Sequence, residues 1–324
     1  MSSIVKSGVE HGGRSEEGPR SSARRPIDDG VETVVASHGC RVRLRHPGGV
    51  DGVRGAIRHQ LPDVSFEPSA STGGYTVAVE TGSAGLITDD RHCRLTVPEE
   101  AVDPVDVAVL VARAMEFLYL RAGRYSLHSA TVTDGDRAIV LTGEPGSGKT
   151  TVAVGLCRGY GLSLVAKDRT LMDGDTVVGG GKRLALSDRV LRDDFGVDPT
   201  TVTRHDTAGD LDPAALDVDT APAETTVPVA RVIHLDRIAT ATEWGQLDRT
   251  RARIQLSRRG AFFARLHPTL LTGPGITVPV LESDDDAARR LGAVEELVAS
   301  APVSTLVGRL DPVVDAVYDR VFEQ

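Results

Sequence analysis

Hydrophobic and polar positions along the chain fall into three regimes. Residues 1 to about 30 are rich in Gly, Ser, Arg and Glu with little apolar content, which predicts a solvated, disordered tail. From Val31 short β-prone runs, VETVVA, RVRLR, YTVAVET and CRLTV, alternate with Gly, Pro and Asp turns and predict a small α+β front domain over residues 31–122. That domain ends on DVAVLVARAMEFLYL, an apolar-periodic stretch with Asp103 as N-cap, Pro104 at the first helical position and Gly123 just past the end. These are the marks of a helix, in which Phe117 and Tyr119 are core residues.

Residues 123–324 follow a different pattern. LHSATVT and AIVLT flank Asp134-Gly135-Asp136, which predicts an antiparallel hairpin. Thr150 to Arg158 has helical spacing that ends near Gly159 and Gly161, and LSLVA then reads as a buried strand. Strand, loop, helix and strand imply α/β layering. Residues 197–228, rich in Asp, Thr, Pro and Ala, predict a long excursion or flexible flap. VARVIHLDRI is a further buried strand, and DPVVDAVYDRVFEQ a C-terminal helix opening on Asp311-Pro312.

Composition narrows the class. A chain of 324 residues can bury a substantial core without staples, and its three cysteines, Cys40, Cys93 and Cys157, lack metal-ligand spacing, which favours free thiols in a reducing compartment. No stretch has the unbroken apolar length of a membrane span, so a cytoplasmic protein with no membrane partner is expected. The formal charge of -9, with 46 acidic against 37 basic residues, gives no basis for nucleic acid as the main partner. Only four of the basic residues are lysines, Lys6, Lys149, Lys167 and Lys182, and three of these fall close to the one strong motif.

That motif is Gly143-Glu144-Pro145-Gly146-Ser147-Gly148-Lys149-Thr150, which matches G-x-x-x-x-G-K-[ST] at every fixed position, between a strand and a helix. Glycines let successive backbone N–H groups turn inward around a phosphate, and the following helix N-terminus adds partial positive charge. These eight residues with Thr151 are the candidate nucleotide site: Lys149 for the β- and γ-phosphates, the Thr150 hydroxyl for Mg²⁺. Asp168, at the end of LSLVA, is the candidate metal ligand, base toward an acceptor hydroxyl, or both. Asp236, at the end of VIHLD, competes for the metal as a Walker B element. Arg169 and Arg237 follow these two aspartates, each either a bidentate phosphate ligand or a surface ion pair.

The stretch from Leu127 to Asp168, with LHSATV, the turn, the strand, GEPGSGKT, a short helix and LSLVAKD, resembles the catalytic domain of HPr kinase/phosphorylase and its smaller kinase relatives. The resemblance implies a core like that of phosphoenolpyruvate carboxykinase, ATP or GTP with Mg²⁺, and transfer of a phosphate to a hydroxyl. It maps His128, on residue type alone a plain strand histidine, onto the family histidine beside the phosphates, and implies catalytic roles for Lys149, Asp168 and Arg169. By analogy it also implies a homo-oligomer.

Three departures qualify the match. Where the family has an Asp pair, this chain has Lys167-Asp168, so one carboxylate is left; Lys167 either contacts a phosphate or anionic substrate or points to the opposite face of the strand end. Neither the family's phosphorylase segment nor a matching front domain is recognisable, which argues against HPr as substrate. The expectation is therefore an α/β kinase whose acceptor is a hydroxyl of a small molecule or of a Ser-containing peptide or protein. A hydrolysing switch ATPase and a nucleotide-binding pseudokinase are the alternatives.

Overall fold

A computed structural model describes residues 31–322, apart from 48–49, 62, 69–73, 83–84, 90, 98–101, 206–209, 224, 237–241 and 266–276. The tail at 1–30 and Arg237 lie outside the described residues. The chain is a mixed α/β protein with two mixed sheets and seven helices among the described residues.

The first sheet holds β1 (Val31–Ser37), β2 (Cys40–His46), β3 (Ser65–Pro68), β4 (Tyr75–Thr81), β5 (Gly85–Thr88) and β6 (His92–Val97) in the order β3-β1-β2-β4-β6-β5. Its pairs β2/β4 and β4/β6 are parallel, and the others antiparallel. Side chains alternate as the pleat requires: Val42 and Leu44, Val77 and Val79, Cys93 and Leu95 are buried, while Arg41, Arg45 and Arg94 face water. The buried face is covered by α1 (Arg54–Gln60), through Ile57, and by α2 (Pro104–Arg121).

Helix α2 starts where the sequence predicts. The Asp103 carboxylate accepts from Val105 N–H at 2.8 Å, and Pro104 takes the position whose N–H would have no partner. It is apolar on most of its circumference because it is covered on most of it: it packs against β2 and β4 of the first sheet and against elements of the second.

The second sheet takes β7 (Arg124–His128), β8 (Ala130–Thr133), β9 (Ala138–Gly143), β10 (Ser163–Ala166), β11 (Arg169–Asp173) and β12 (Thr176–Gly180). Later strands are the two-residue β13 (Arg204–His205) and β14 (Asp210–Leu211), then β15 (Val227–Asp236), β16 (Glu243–Gln246) and β17 (Val303–Val307). The order is β10-β8-β9-β15-β12-β11-β7, with β17 joined to β15 and β16 to β17, while β13 and β14 pair apart. Strand β9 lies parallel to β15, and β15 parallel to β17, so the loop after β9 opens at the C-terminal edge of parallel strands.

Alternation along β9 divides the core. Ile139 and Leu141 point to α3 (Lys149–Tyr160), α4 (Asp188–Phe195) and α7 (Leu310–Val321). Ala138 and Val140 point to the opposite layer, with Leu256 of α5 (Arg249–Arg265) and Val294 and Leu297 of α6 (Asp284–Ser300). A strand covered on both faces reads as an unbroken apolar run, which is what AIVLT is.

The expected hairpin across Asp134-Gly135-Asp136 is β8/β9. The run LHSATVT, read as one strand, is two: β7 pairs with β11 and β8 with β9 and β10, with the break at Ser129. The C-terminal helix begins at Leu310, ahead of Asp311-Pro312. Segment 197–228 departs from the sheet only in part: Leu211, Leu216 and Val218 are sealed into the α3 layer, Thr220 bridges to Leu164 of β10, and residues 227–228 open β15. These packed residues are not those of a free flap. All three cysteines are free, and burial pushes the Cys157 thiol up to about 12, the behaviour of a core residue. No helix among the described residues is long and apolar enough to cross a membrane.

Candidate functional site

The G-x-x-x-x-G-K-T segment joins the end of β9 to the start of α3. Gly143 is set against Leu235 of β15, and a Cβ on it would lie 2.6 Å from the Leu235 carbonyl oxygen, so the strand can end there only on glycine. Gly148 is the N-cap of α3 at φ +91°, a left-handed conformation that side chains resist. The Ser147 N–H donates to the Glu144 carbonyl at 3.0 Å and closes the loop. Lys149 turns back over it: the ammonium donates to the carbonyls of Gly143, at 3.2 Å, and Glu144, at 3.1 Å, and the residue is 5 % exposed.

A cavity of about 590 Å³ opens over this loop. Its walls include Gly146, Lys149, Thr150, His128, Lys167 and Asp168. The fold thus brings together most of the residues singled out from sequence. The carboxylate of Asp168 is paired with the Lys167 ammonium, so that lysine points into the site and not to the far side of the strand end.

Asp168 is itself unusual. It sits at φ +67° between β10 and β11, the Arg169 N–H reaches back to the Lys167 carbonyl at 2.9 Å, and its own carbonyl accepts from Ser129 N–H at 3.1 Å. An i to i+2 hydrogen bond about a positive-φ residue is a strained γ-turn, and such strain persists only where the surroundings impose it. Here it turns Asp168 out of the β10 to β11 path toward the loop, at the level where β7 passes into β8.

His128 ends β7 with its ring against Phe262, centroids 4.1 Å apart. Burial, helped by the nearby Lys149 ammonium, holds its pKa down at about 4. The unfolded chain takes up this proton near 6.5, the folded chain only near pH 4, so folding stability should fall as pH drops through that window. The loss is on the order of 3 kcal/mol. Denaturant unfolding at pH 4.5 and pH 7 should show a smaller difference for His128→Gln than for the parent chain; equal differences would assign the pH dependence elsewhere.

Two candidates are placed away from this cavity. Asp236 ends β15, one residue past the Leu235 that pairs with Gly143, and lines a narrow space of about 20 Å³ with Ser147, Gly148 and Gly308, not the wall that Thr150 and Asp168 share. Arg169, expected at the phosphates or in a surface pair, does neither. It is buried, donates to Glu116 of α2 at 2.8 Å and lies 3.9 Å over the Phe263 ring, lining the neighbouring cavity. Asp168 lines both cavities, whereas Arg169 lines only the neighbouring one. Lys182 pairs with Asp63 at 3.0 Å.

Helix α5 supplies groups that carry no sequence signal of their own. Arg259, buried, is paired with Glu144 of the loop, and this pairing, with its hydrogen bond first, holds the Glu144 carboxyl below its usual range. In a chain whose cations are almost all arginine, nothing marks Arg259 out. The adjacent Phe262 and Phe263 are the one available hint, since neighbours about 100° apart on a helix cannot both face one core. The Ser147 Oγ, His128 Nδ1 and Arg259 Nε are buried with no hydrogen-bond partner among the described residues. Buried polar atoms around one loop that lack partners are what a ligand would satisfy. No protein-family model matches the chain, and no curated protein shows significant similarity to it.

Proposed function

We propose that the protein is a P-loop kinase of the HPr-kinase type that moves the γ-phosphate of ATP, or GTP, onto an acceptor hydroxyl. The observation that carries this reading is one cavity walled by the glycine loop, the Lys149 ammonium, the Thr150 hydroxyl and the Asp168 carboxylate.

The loop N–H groups and the start of α3 bind the phosphates, and Lys149 exchanges its two carbonyl partners for phosphate oxygens. A hydroxyl and a carboxylate on one wall suit Mg²⁺, which keeps most of its waters and takes few protein oxygens, so Thr150 and Asp168 would hold it. Bound there, it would neutralise charge on the phosphates. Asp168 accepts the acceptor's proton at a carboxylate oxygen, and neutral His128 donates or accepts one hydrogen bond without adding charge. Lys167, where the family has its other Asp, faces the transferred group as a cation.

Purified protein with Mg²⁺ and γ-labelled ATP, with and without an extract of its source, tests the reading. Label should enter an extract component, a small molecule or a polypeptide. Label in free phosphate alone, equal with and without extract, would mean a switch ATPase. The Lys167–Asp168 ion pair favours a second reading, a nucleotide-binding pseudokinase, because it occupies the carboxylate that transfer requires; tight nucleotide binding without turnover is its signature.

A further inference from the structure

A second cavity, of about 310 Å³, adjoins the one over the loop. The two share Lys167, Asp168, Phe262 and Phe263 as a common wall. The remaining walls come from α1, α2, the strand after Asp168 and the loop after β12, so the first sheet's helices close this space against the second sheet.

Its lining is cationic. Arg58, His59, Arg113, Lys167, Arg169 and Arg183 all contribute, against a single lining carboxylate among the described residues, Asp168. Several of these groups are already engaged from behind: Glu116 pairs with Arg169, Asp210 contacts His59, and Arg113 donates to the carbonyls of Phe263 and Ala264 at 2.7 and 2.5 Å. Arg183 and Arg58 have no carboxylate partner among the described residues; Arg58 lies over the Phe66 ring at 5.5 Å. Asp63 and Asp212 share an adjoining space with Arg58 and Arg183, and Asp63 is held by Lys182 at 3.0 Å. Guanidinium forks on a concave wall match the two oxygens of a carboxylate or phosphate.

We propose that this cavity is the acceptor site, and that the acceptor is a small hydroxylated molecule carrying a carboxylate or phosphate group. This rests on the kinase reading, and it names the substrate class that reading leaves open. The anionic group lies against Arg58 and Arg183, and the hydroxyl reaches the shared wall at Asp168. In the transfer, the bond between the γ-phosphorus and the β–γ bridging oxygen breaks and that oxygen leaves on the nucleoside diphosphate. A new bond forms from the γ-phosphorus to the acceptor oxygen, whose proton passes to the Asp168 carboxylate. A volume near 310 Å³ stands at the small end of small-molecule sites, which favours a metabolite over a folded protein surface.

Isothermal titration of the full chain tests this in two stages. Mg²⁺ with a non-hydrolysable ATP analogue is titrated first into wild type and Lys149→Ala; failure of wild type to bind sinks the kinase reading alone. Inorganic phosphate, glycerate, glycerol 3-phosphate and glycerol are then titrated with the analogue present, or without it if it does not bind. The anions should bind and glycerol should not, with glycerate against glycerol 3-phosphate separating a carboxylate from a phosphate preference. Arg183→Ala and Arg58→Ala should each weaken the anions about tenfold while leaving the nucleotide unchanged. Anion affinity that follows Lys149 and ignores Arg183 overturns the proposal, as does a chain that phosphorylates a seryl peptide and binds none of the anions.

Discussion

Lys149→Ala is expected to lower phosphate transfer by about a thousandfold, the scale of removing a group that stabilises charge only as it develops. The expectation comes from where the ammonium is. It is buried at the mouth of the glycine loop, held on the carbonyls of Gly143 and Glu144, and burial lowers its pKa, with Asp168 opposing that and Arg259 adding to it. A cation kept in such a place is costly for the fold. An apolar replacement of similar length, Lys149→Met, should therefore unfold at the same temperature as the parent chain or higher, while losing transfer to the same extent as Lys149→Ala. Transfer measured with γ-labelled ATP and melting followed by calorimetry give two independent readouts. A Lys149→Ala variant with most of its activity would remove the loop from the mechanism, whatever its stability.

How far the sequence discloses this site follows from which physical signals are local. The loop is legible because its motif sets glycines at fixed spacing, and both Gly143 and Gly148 stand where a side chain would collide or strain. Helix α2 is legible because its cap, Asp103, and its breaker, Gly123, stand immediately at its two ends. The break at Ser129 is not, since alternating apolar residues in LHSATVT look the same whether the strand continues or passes to new partners. Arg259, Arg113 and Arg183 are invisible for another reason. Arg113 and Arg183 matter because α2 and the loop after β12 bring them to one cavity, and Arg259 because α5 carries it to Glu144 of the loop; an arginine-rich chain gives no residue-level contrast to mark them. Segment 197–228 hides its packing because Leu211, Leu216 and Val218 are buried singly, without a period.

The carboxylate at Asp168 is expected to be as indispensable for transfer as Lys149, and separable from it. Asp168→Asn keeps the shape of the side chain and its tolerance of the left-handed backbone at φ +67°, so the turn between β10 and β11 should survive. The amide cannot accept the acceptor's proton, and transfer should fall by about 10² to 10⁴. The nucleotide should still bind, because the loop and Lys149 are untouched; a thousandfold loss with nucleotide affinity within a few-fold is the pattern that separates this residue from Lys149. Asp168→Ala should lose the same activity but also destabilise the fold by about 1 kcal/mol, since alanine in that conformation has the strain without a local polar partner. If Asp168→Asn transfers phosphate at the wild-type rate, the proton goes elsewhere, and the Lys167–Asp168 pair is then a structural clamp holding the two cavities' shared wall.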